Sequence, residues 1–181
     1  MINFIINLPQ TIVFRIHNKG NKTKVYIVDF SNERSADFKI NLERYLELGL
    51  EVQPIKNGDF TLELLDEKSV LIDSIFGSGL SKSIEWFVGE VVDKINGLEK
   101  DVVSIDIPSG LHSDTGQPLG VCVKASATAT FAFAKAGRLL YPGNTYTGDL
   151  EVIDIGIPKF IALEENIKLS LIEKNDIAAC F

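Results

Sequence analysis

The stretch from Ser69 to Ile107, SVLIDSIFGSGLSKSIEWFVGEVVDKINGLEKDVVSIDI, holds two apolar runs separated by a helical pattern. The first run, SVLIDSI, and the second, from Asp101 to Ile107, are continuous and rich in β-branched residues, which predicts buried strands. Between them, apolar residues recur at steps of three and four until Asn96-Gly97, which predicts an amphipathic helix. These apolar positions are Ile84, Phe87, Val88, Val91, Val92 and Ile95. Strand, helix and strand in this order are typical of a parallel sheet covered on both faces.

The same alternation extends in both directions along the chain. Lys24–Phe30, KVYIVDF, predicts another buried strand, and the helix after it has Ser31 as its cap and Gly49 as its stop. The apolar face of that helix is formed by Phe38, Leu42, Tyr45 and Leu46. Further strands are predicted near 50–54, at 127–134 and at 150–155, with a weaker candidate at 167–172 and a helical stub at 174–180. We therefore expect a Rossmann-like, three-layer α/β/α sandwich with a mainly parallel sheet.

Length and charge limit the classes of function. A chain of 181 residues is long enough for one domain with a substantial core. Its net charge of −7 argues against nucleic acid as a partner, because phosphate backbones require clustered Lys and Arg. No apolar run reaches the length that spans a membrane, so no membrane partner is expected. The two cysteines form no CxxC pattern, and a cytoplasmic location is expected.

The loop after the strand that carries Asp73 is a candidate anion site. In open α/β sheets, ligands bind outside the carboxyl ends of the strands. The loop Gly77–Ser83 leads into a helix predicted to begin near Ser83, and its glycines allow backbone N–H groups to approach a phosphate. Because the spacing is neither the Walker pattern nor GxGxxG, an ordinary loop with Ser81 or Ser83 as helix cap is the alternative.

A second candidate site follows the strand at Asp101–Ile107. Asp106 stands at its end, Pro108 interrupts the ladder, and Ser109-Gly110 turns the chain. This geometry presents the Asp106 carboxylate and the Ser109 hydroxyl to one pocket. The carboxylate could act as a base, a metal ligand or a ribose acceptor. The alternative is an Asx turn in which Asp106 only satisfies backbone N–H groups.

A third strand end carries Lys135. Lys135 follows the strand predicted at 127–134. The loop after Lys135 contains a Pro-Gly pair and a Gly-Asp pair, which are typical of turns. Lys135 either meets an anion at this edge of the sheet or is simply solvated.

Five blocks of sequence together resemble one family. LIDSIFGSGL, VVSIDIPSGLHSDTG, VKASATATFAFAKAG, YPG and GDLEVIDIGIP occur in that order. They closely resemble the YjeF N-terminal domain family, the NAD(P)HX epimerases, over roughly residues 24–158. The resemblance divides the chain into an atypical remnant at 1–23, a YjeF N-terminal-like domain at 24–172, and a tail or lead-in to a lost domain at 173–181.

The resemblance implies a Rossmann-like fold and a repair activity that interconverts the R and S epimers of hydrated NADH and NADPH. It implies a K⁺ site at Asp73 and Ser109, and substrate binding by Asp106. Our hypothesis is that Asp106 acts as base or acid at the epimerised carbon. The resemblance implies that the substrate loop consists of Gly77, Ser78, Gly79, Leu80, Ser81, Lys82 and Ser83. It also implies a homodimer and an ATP- or ADP-dependent dehydratase as partner or fused domain.

The chain also departs from the family. Family members carry an early loop reading Asn-Asn-Gly-Gly-Asp-Gly, which this sequence does not contain. MINFIINLPQ has no evident counterpart, so we expect the first helix, strand and loop to be missing and activity to be impaired. Two alternatives follow: a non-catalytic nucleotide-binding or scaffold domain of the same fold, and a generic nucleotide-binding Rossmann module.

Overall fold

The computed structural model of the protein describes residues 1–6, 19–30, 36–57, 60, 68–158 and 160–161. Its strands are β1 (Ile2–Ile6), β2 (Thr23–Val28), β3 (Glu51–Ile55), β4 (Val70–Ser74), β5 (Val102–Ile105), β6 (Ala127–Phe131) and β7 (Asp149–Ile153). The helices of the described part are α1 (Ala36–Glu47), α2 (Trp86–Asn96), α3 (Ala136–Leu139) and α4 (Asn144–Thr147).

The seven strands form one sheet in the order β3-β2-β1-β4-β5-β6-β7. Every neighbouring pair is parallel, so all strands end at the same edge. The predicted α/β fold with a mainly parallel sheet is confirmed. The order of connection reverses between β1 and β4, and this is the place where doubly wound sheets bind ligands.

The two faces of the sheet carry separate apolar clusters. Tyr26 and Val28 of β2 pack on one side with the buried face of α2. Val25 and Ile27, which alternate with them, pack on the other side with Phe38 of α1. This alternation follows from the two-residue period of a strand, and it places α1 and α2 on opposite faces.

One expectation about the N-terminus is wrong. The first strand is present, because Ile2–Ile6 pairs in register with Thr23–Ile27 of β2 and with Val70–Ser74 of β4. Its apolar, isoleucine-rich composition suits a central strand of a parallel sheet. In the absence of the Asn-Asn-Gly-Gly-Asp-Gly loop no family motif marks this strand in the sequence, because a strand is defined by its backbone pairing. The residues that follow, 7–18, lie outside the described part.

The helix after the Gly77–Ser83 loop begins later than predicted. Ile84 belongs to an isolated bridge with Gly120, and its N–H donates to the Leu119 carbonyl at 2.8 Å. This pairing delays α2 until Trp86, with Glu85 at the N-cap, so neither Ser81 nor Ser83 is the helix cap.

Other expectations need smaller changes. The predicted end of α2 at Asn96-Gly97 is confirmed, whereas Leu46 is 59% exposed and lies off the buried face of α1. The short helices α3 and α4 were not predicted. The predictions for Ser31, 167–172 and 174–180 fall outside the described residues.

The division into segments 1–23, 24–172 and 173–181 stays a prediction, although β1, within the first segment, is part of the common sheet. Among the helices of the described residues, none combines the length and the apolar character that crossing a bilayer requires.

Candidate functional site

Asp73 is the buried centre of the site. It lies in β4 opposite Ser104 of β5 and is 1% exposed. Its carboxylate accepts the Ser104 hydroxyl at 2.8 Å, the Ser109 N–H at 2.9 Å and the Ser109 hydroxyl at 2.6 Å. The Ile75 N–H adds a longer bond of 3.4 Å. Four donors therefore occupy the acceptor positions of one carboxylate.

No cationic side chain of the described residues contacts Asp73. Burial raises the pKa of Asp73 above its usual value, although hydrogen bonds from Ser109, Ser104 and Ile75 act in the opposite direction. A buried carboxylate normally has a cationic partner or a metal ion, or it takes up a proton. Asp73 is thus suited either to a neutral state or to a bound cation.

The turn after β5 brings Ser109 onto Asp73. Gly110 has a φ of +99°, and a Cβ there would lie 2.1 Å from the Val121 carbonyl oxygen, so this position admits only glycine. The Ser109 hydroxyl accepts the Phe76 N–H at 2.9 Å. Ser109 therefore ties the turn after β5 to the start of the loop after β4.

Asp106 stands where β5 ends, in a conformation with a φ of +69°. Its N–H donates to the Ala129 carbonyl at 2.8 Å, which holds the residue against β6. The carboxylate oxygen Oδ1 contacts Lys135 Nζ at 2.5 Å and accepts the Thr130 hydroxyl at 3.2 Å. Its carboxylate accepts no backbone N–H of the described residues, so the Asx-turn interpretation is wrong.

Arg138 holds the backbone of this strand end. It is 1% exposed and donates to the Asp106 carbonyl and to Thr130 Oγ1, both at 2.7 Å. Lys135 Nζ also donates to Thr130 Oγ1, at 3.0 Å. Because two cations donate to the Thr130 hydroxyl, its own proton is directed to Asp106.

Sequence reasoning missed Arg138 and left Lys135 undecided. Of its two alternatives for Lys135, contact with an anion is confirmed, and the anion is Asp106. The signal that was available is the position of both residues in the segment that follows β6, at the same edge of the sheet as Asp106.

The two carboxylates have opposite electrostatic environments. Burial by itself raises the pKa of Asp106, but the hydrogen bond and charge of Lys135, with smaller effects of Thr130 and Arg138, outweigh it. The pKa of Asp106 therefore lies below its usual value, and the group is ionised at neutral pH. A pair of acids with pKa values displaced in opposite directions is typical of sites that assign them different roles.

The loop Gly77–Ser83 is exposed except for the half-buried Leu80. A Cβ on Gly77 would lie 3.9 Å from Asp106 Oδ2, so the start of the loop adjoins that carboxylate. The Ser113 hydroxyl donates to the Ser78 carbonyl at 3.2 Å and fixes the first turn. The later residues Lys82 and Ser83 instead line a groove beside α2.

The residues predicted for the site thus meet in two neighbouring groups. Asp73 and Ser109 are directly hydrogen-bonded, and Asp106 adjoins Gly77. The described residues contain no cluster of three His, Cys, Asp or Glu side chains suited to a metal. The oxygen atoms of Asp73 and Ser109 are ligands of the kind that coordinate hard monovalent cations. Oxygen atoms likewise coordinate K⁺ in the selectivity filters of ion channels.

Comparison with known proteins identifies relatives. The family described as YjeF-related protein N-terminus matches residues 12–137. The chain is 37% identical over 163 residues to a Thermofilum pendens protein named bifunctional NAD(P)H-hydrate repair enzyme Nnr. This match covers 89% of the chain but only 30% of that protein. The chain is also 36% identical over 140 residues to a Weissella koreensis protein named NAD(P)H-hydrate epimerase, covering 77% of the chain and 60% of that protein.

The fold has a solved counterpart. The crystal structure of the yeast protein ynu0 superposes with a TM-score of 0.73 at 18% identity, covering 96% of this chain and 74% of the yeast chain. At this identity the likeness concerns the fold alone. Since the family match extends over well more than half of the sequence, the chain belongs to the family of YjeF-related protein N-terminal domains.

Proposed function

We propose that this chain is an NAD(P)HX epimerase, which interconverts the R and S epimers of hydrated NADH and NADPH. The observation that carries the proposal is the Asp106 carboxylate, held ionised by Lys135 beside the exposed Gly77–Ser83 loop. The relatives named as epimerase and as repair enzyme support it.

Asp106 would serve as the base. The hydrated nicotinamide carries a hydroxyl on the carbon next to the ring nitrogen, and this hemiaminal can open and reclose, or lose and regain its hydroxyl. An ionised carboxylate favours opening: it accepts the hydroxyl proton while the carbon–nitrogen bond breaks, and the electron pair passes to nitrogen. Reclosure on the other face, with return of the proton, gives the other epimer. The Lys135 ammonium, bonded to the same carboxylate, would balance the charge that moves.

The loop would hold the pyrophosphate. Its exposed backbone and the side chains of Ser81, Lys82 and Ser83 offer donors to an anion. Since α2 begins only at Trp86, we assign this role to the loop itself rather than to the helix terminus.

We also propose that K⁺ binds at Asp73 and Ser109. The support is a buried carboxylate with oxygen neighbours and no cationic contact among the described residues. Binding requires the Ser109 hydroxyl to turn its proton away from Asp73, so that both oxygens offer lone pairs to the ion. The test is thermal unfolding in KCl against tetramethylammonium chloride, where K⁺ should raise the Tm of the parent but not of Asp73→Asn.

Two partners are part of the proposal: a dehydratase, separate or fused, and a second copy of the chain in a homodimer. The relative named as bifunctional supports the first, because the matched region is 30% of its length. A cytoplasmic location stays a prediction.

The experiment follows recovery of NADH absorbance from mixed R and S NADHX with an S-specific dehydratase. The purified chain should recover the R fraction faster than spontaneous epimerisation, and Asp106→Asn should abolish the acceleration. Asp101→Asn, at an exposed aspartate before the opposite end of β5, is the matched control. If the folded parent gives no acceleration, a non-catalytic nucleotide-binding or scaffold domain becomes the better proposal. The absence of the Asn-Asn-Gly-Gly-Asp-Gly loop favours this alternative.

A further inference from the structure

An aromatic groove adjoins the far end of the Gly77–Ser83 loop. Its volume is about 380 Å³, within the range of sites that take small molecules. The residues that line it are Phe30, Phe76, Leu80, Lys82, Ser83, Ile84, Glu85, Trp86, Phe87 and Val88. We call this site the aromatic groove.

The lining is suited to a planar, heteroaromatic group. The rings of Phe30 and Phe76 lie 5.4 Å apart and are tilted by 41°. Trp86 is 85% exposed, and its φ of +60° is unusual for a bulky side chain. Exposed aromatic side chains that stand together with basic and hydroxyl groups are typical of surfaces on which nucleobases stack.

The loop connects the groove to Asp106. Gly77, at its start, adjoins the Asp106 carboxylate, whereas Leu80, Lys82 and Ser83 line the groove. A ligand that follows this loop therefore has one end at Asp106 and the other among the aromatic rings.

The sheet order agrees with this placement. Phe30 follows β2 and Asp106 follows β5, and the connection reverses between these two strands, at β1 and β4. Doubly wound sheets bind dinucleotides across this position, with one half on each side.

We propose that the aromatic groove binds the adenine of the dinucleotide substrate, stacked among Phe30, Phe76 and Trp86. The assignment rests on the proposed function, because it takes the hydrated nicotinamide at Asp106 and the pyrophosphate on the loop as its starting points. A second copy of the chain or another protein seated on the groove is the competing occupant.

Trp86 provides a direct test, because it is the single tryptophan of the sequence. AMP, which carries the adenine, should quench or shift its fluorescence in a saturable manner, and nicotinamide mononucleotide should not. Phe30→Ala should weaken AMP binding about tenfold, which corresponds to the loss of one stacking partner. Phe133→Ala is the control, since Phe30 and Phe133 are both 41% exposed and only Phe30 lines the groove.

The outcomes separate this inference from the proposed function. AMP binding that survives in Asp106→Asn while epimerisation is lost supports both. AMP binding by a chain without epimerase activity supports the groove and contradicts the proposed function. The inference is overturned if AMP leaves the fluorescence of the folded protein unchanged, or if Phe30→Ala binds AMP as tightly as Phe133→Ala does. It is also overturned if dilution of the protein without AMP changes the Trp86 fluorescence, because this indicates that a second copy of the chain occupies the groove.

Discussion

Lys135 Nζ lies 2.5 Å from Asp106 Oδ1, although the two residues come from different strand ends. Their side chains are 25% and 19% exposed, so a substrate can reach the pair while solvent screens it only in part. The Asp106 carboxylate is thereby charged and accessible at the same time, which a proton acceptor requires.

Replacing Lys135 by Met should shift the pH profile of epimerisation. Without the ammonium, the two strongest influences that lower the pKa of Asp106 are lost, so this pKa rises and the acidic limb of kcat/KM moves to higher pH. The profile of R-epimer recovery measures this. Lys124→Met, at an exposed lysine, should leave the limb in place. If the acidic limb of kcat/KM does not move in Lys135→Met, Lys135 does not keep Asp106 ionised during the reaction.

The same pair should contribute to stability with a defined pH dependence. Because the pKa of Asp106 is lowered in the folded chain, its contribution is present above about pH 3.9, the ordinary Asp value, and disappears as the pH falls through the folded value. Urea unfolding at several pH values should therefore show a smaller acid-induced loss in Lys135→Met than in the parent.

Removing the Ser109 hydroxyl should destabilise the chain more than removing that of Ser104. Ser104→Ala deletes one hydrogen bond to the buried Asp73 carboxyl group, at a cost of about 1–3 kcal/mol. Ser109→Ala deletes the 2.6 Å bond and also leaves the Phe76 N–H without its acceptor. Denaturant unfolding measures both, with the exposed Ser81→Ala as control. Equal losses would show that the Phe76 bond is unimportant.

Arg138 should act as a positioning residue. Arg138→Met removes both donors to the strand end and should lower the free energy of unfolding by roughly 3 kcal/mol. Arg138→Lys keeps the charge but not the two-pronged geometry, so it should fold and lose about tenfold in kcat with KM nearly unchanged. A change in KM alone would indicate that Arg138 contacts the substrate instead.

Two glycines should respond differently to alanine. Gly110→Ala forces a Cβ against the Val121 carbonyl at a φ of +99°, and it should cost more than about 2 kcal/mol. At Gly77 the nearest atom lies 3.9 Å away, so alanine should leave stability within about 0.5 kcal/mol. Its methyl group should nevertheless raise KM by narrowing the approach to Asp106. Unchanged KM in Gly77→Ala would place the substrate elsewhere.

Local patterns were sufficient where the physics is local. The apolar runs around Asp73 and Asp106 predicted strands that share an edge, and the turn glycine at 110 predicted a sharp reversal. Two strands that end at one edge bring their end residues together, and this agrees with the pairing of Asp73 with Ser109, which only the family resemblance had implied.

Long-range contacts decided the features that the sequence did not reveal. Arg138 donates to the carbonyl of Asp106, which is distant in sequence, and the position of Arg138 after β6 indicates the shared edge but not this particular partner. The bridge of Ile84 with Gly120 likewise overrides a good helical period and delays α2.

The central position of β1 also has a kinetic consequence. Ile2 pairs with Thr23 of β2 on one side and with Val70 of β4 on the other. The ladder with β2 joins strands that are close in sequence, whereas the ladder with β4 forms only after a much longer loop has closed. During synthesis, β1 and β2 can associate early, but the edge of β1 that belongs to β4 stays open until β4 has been made. Such an open apolar edge is a template for pairing with other chains. Slow passage of the ribosome through residues 23–70 should therefore favour aggregation, and chaperones that cover strand edges should counteract it.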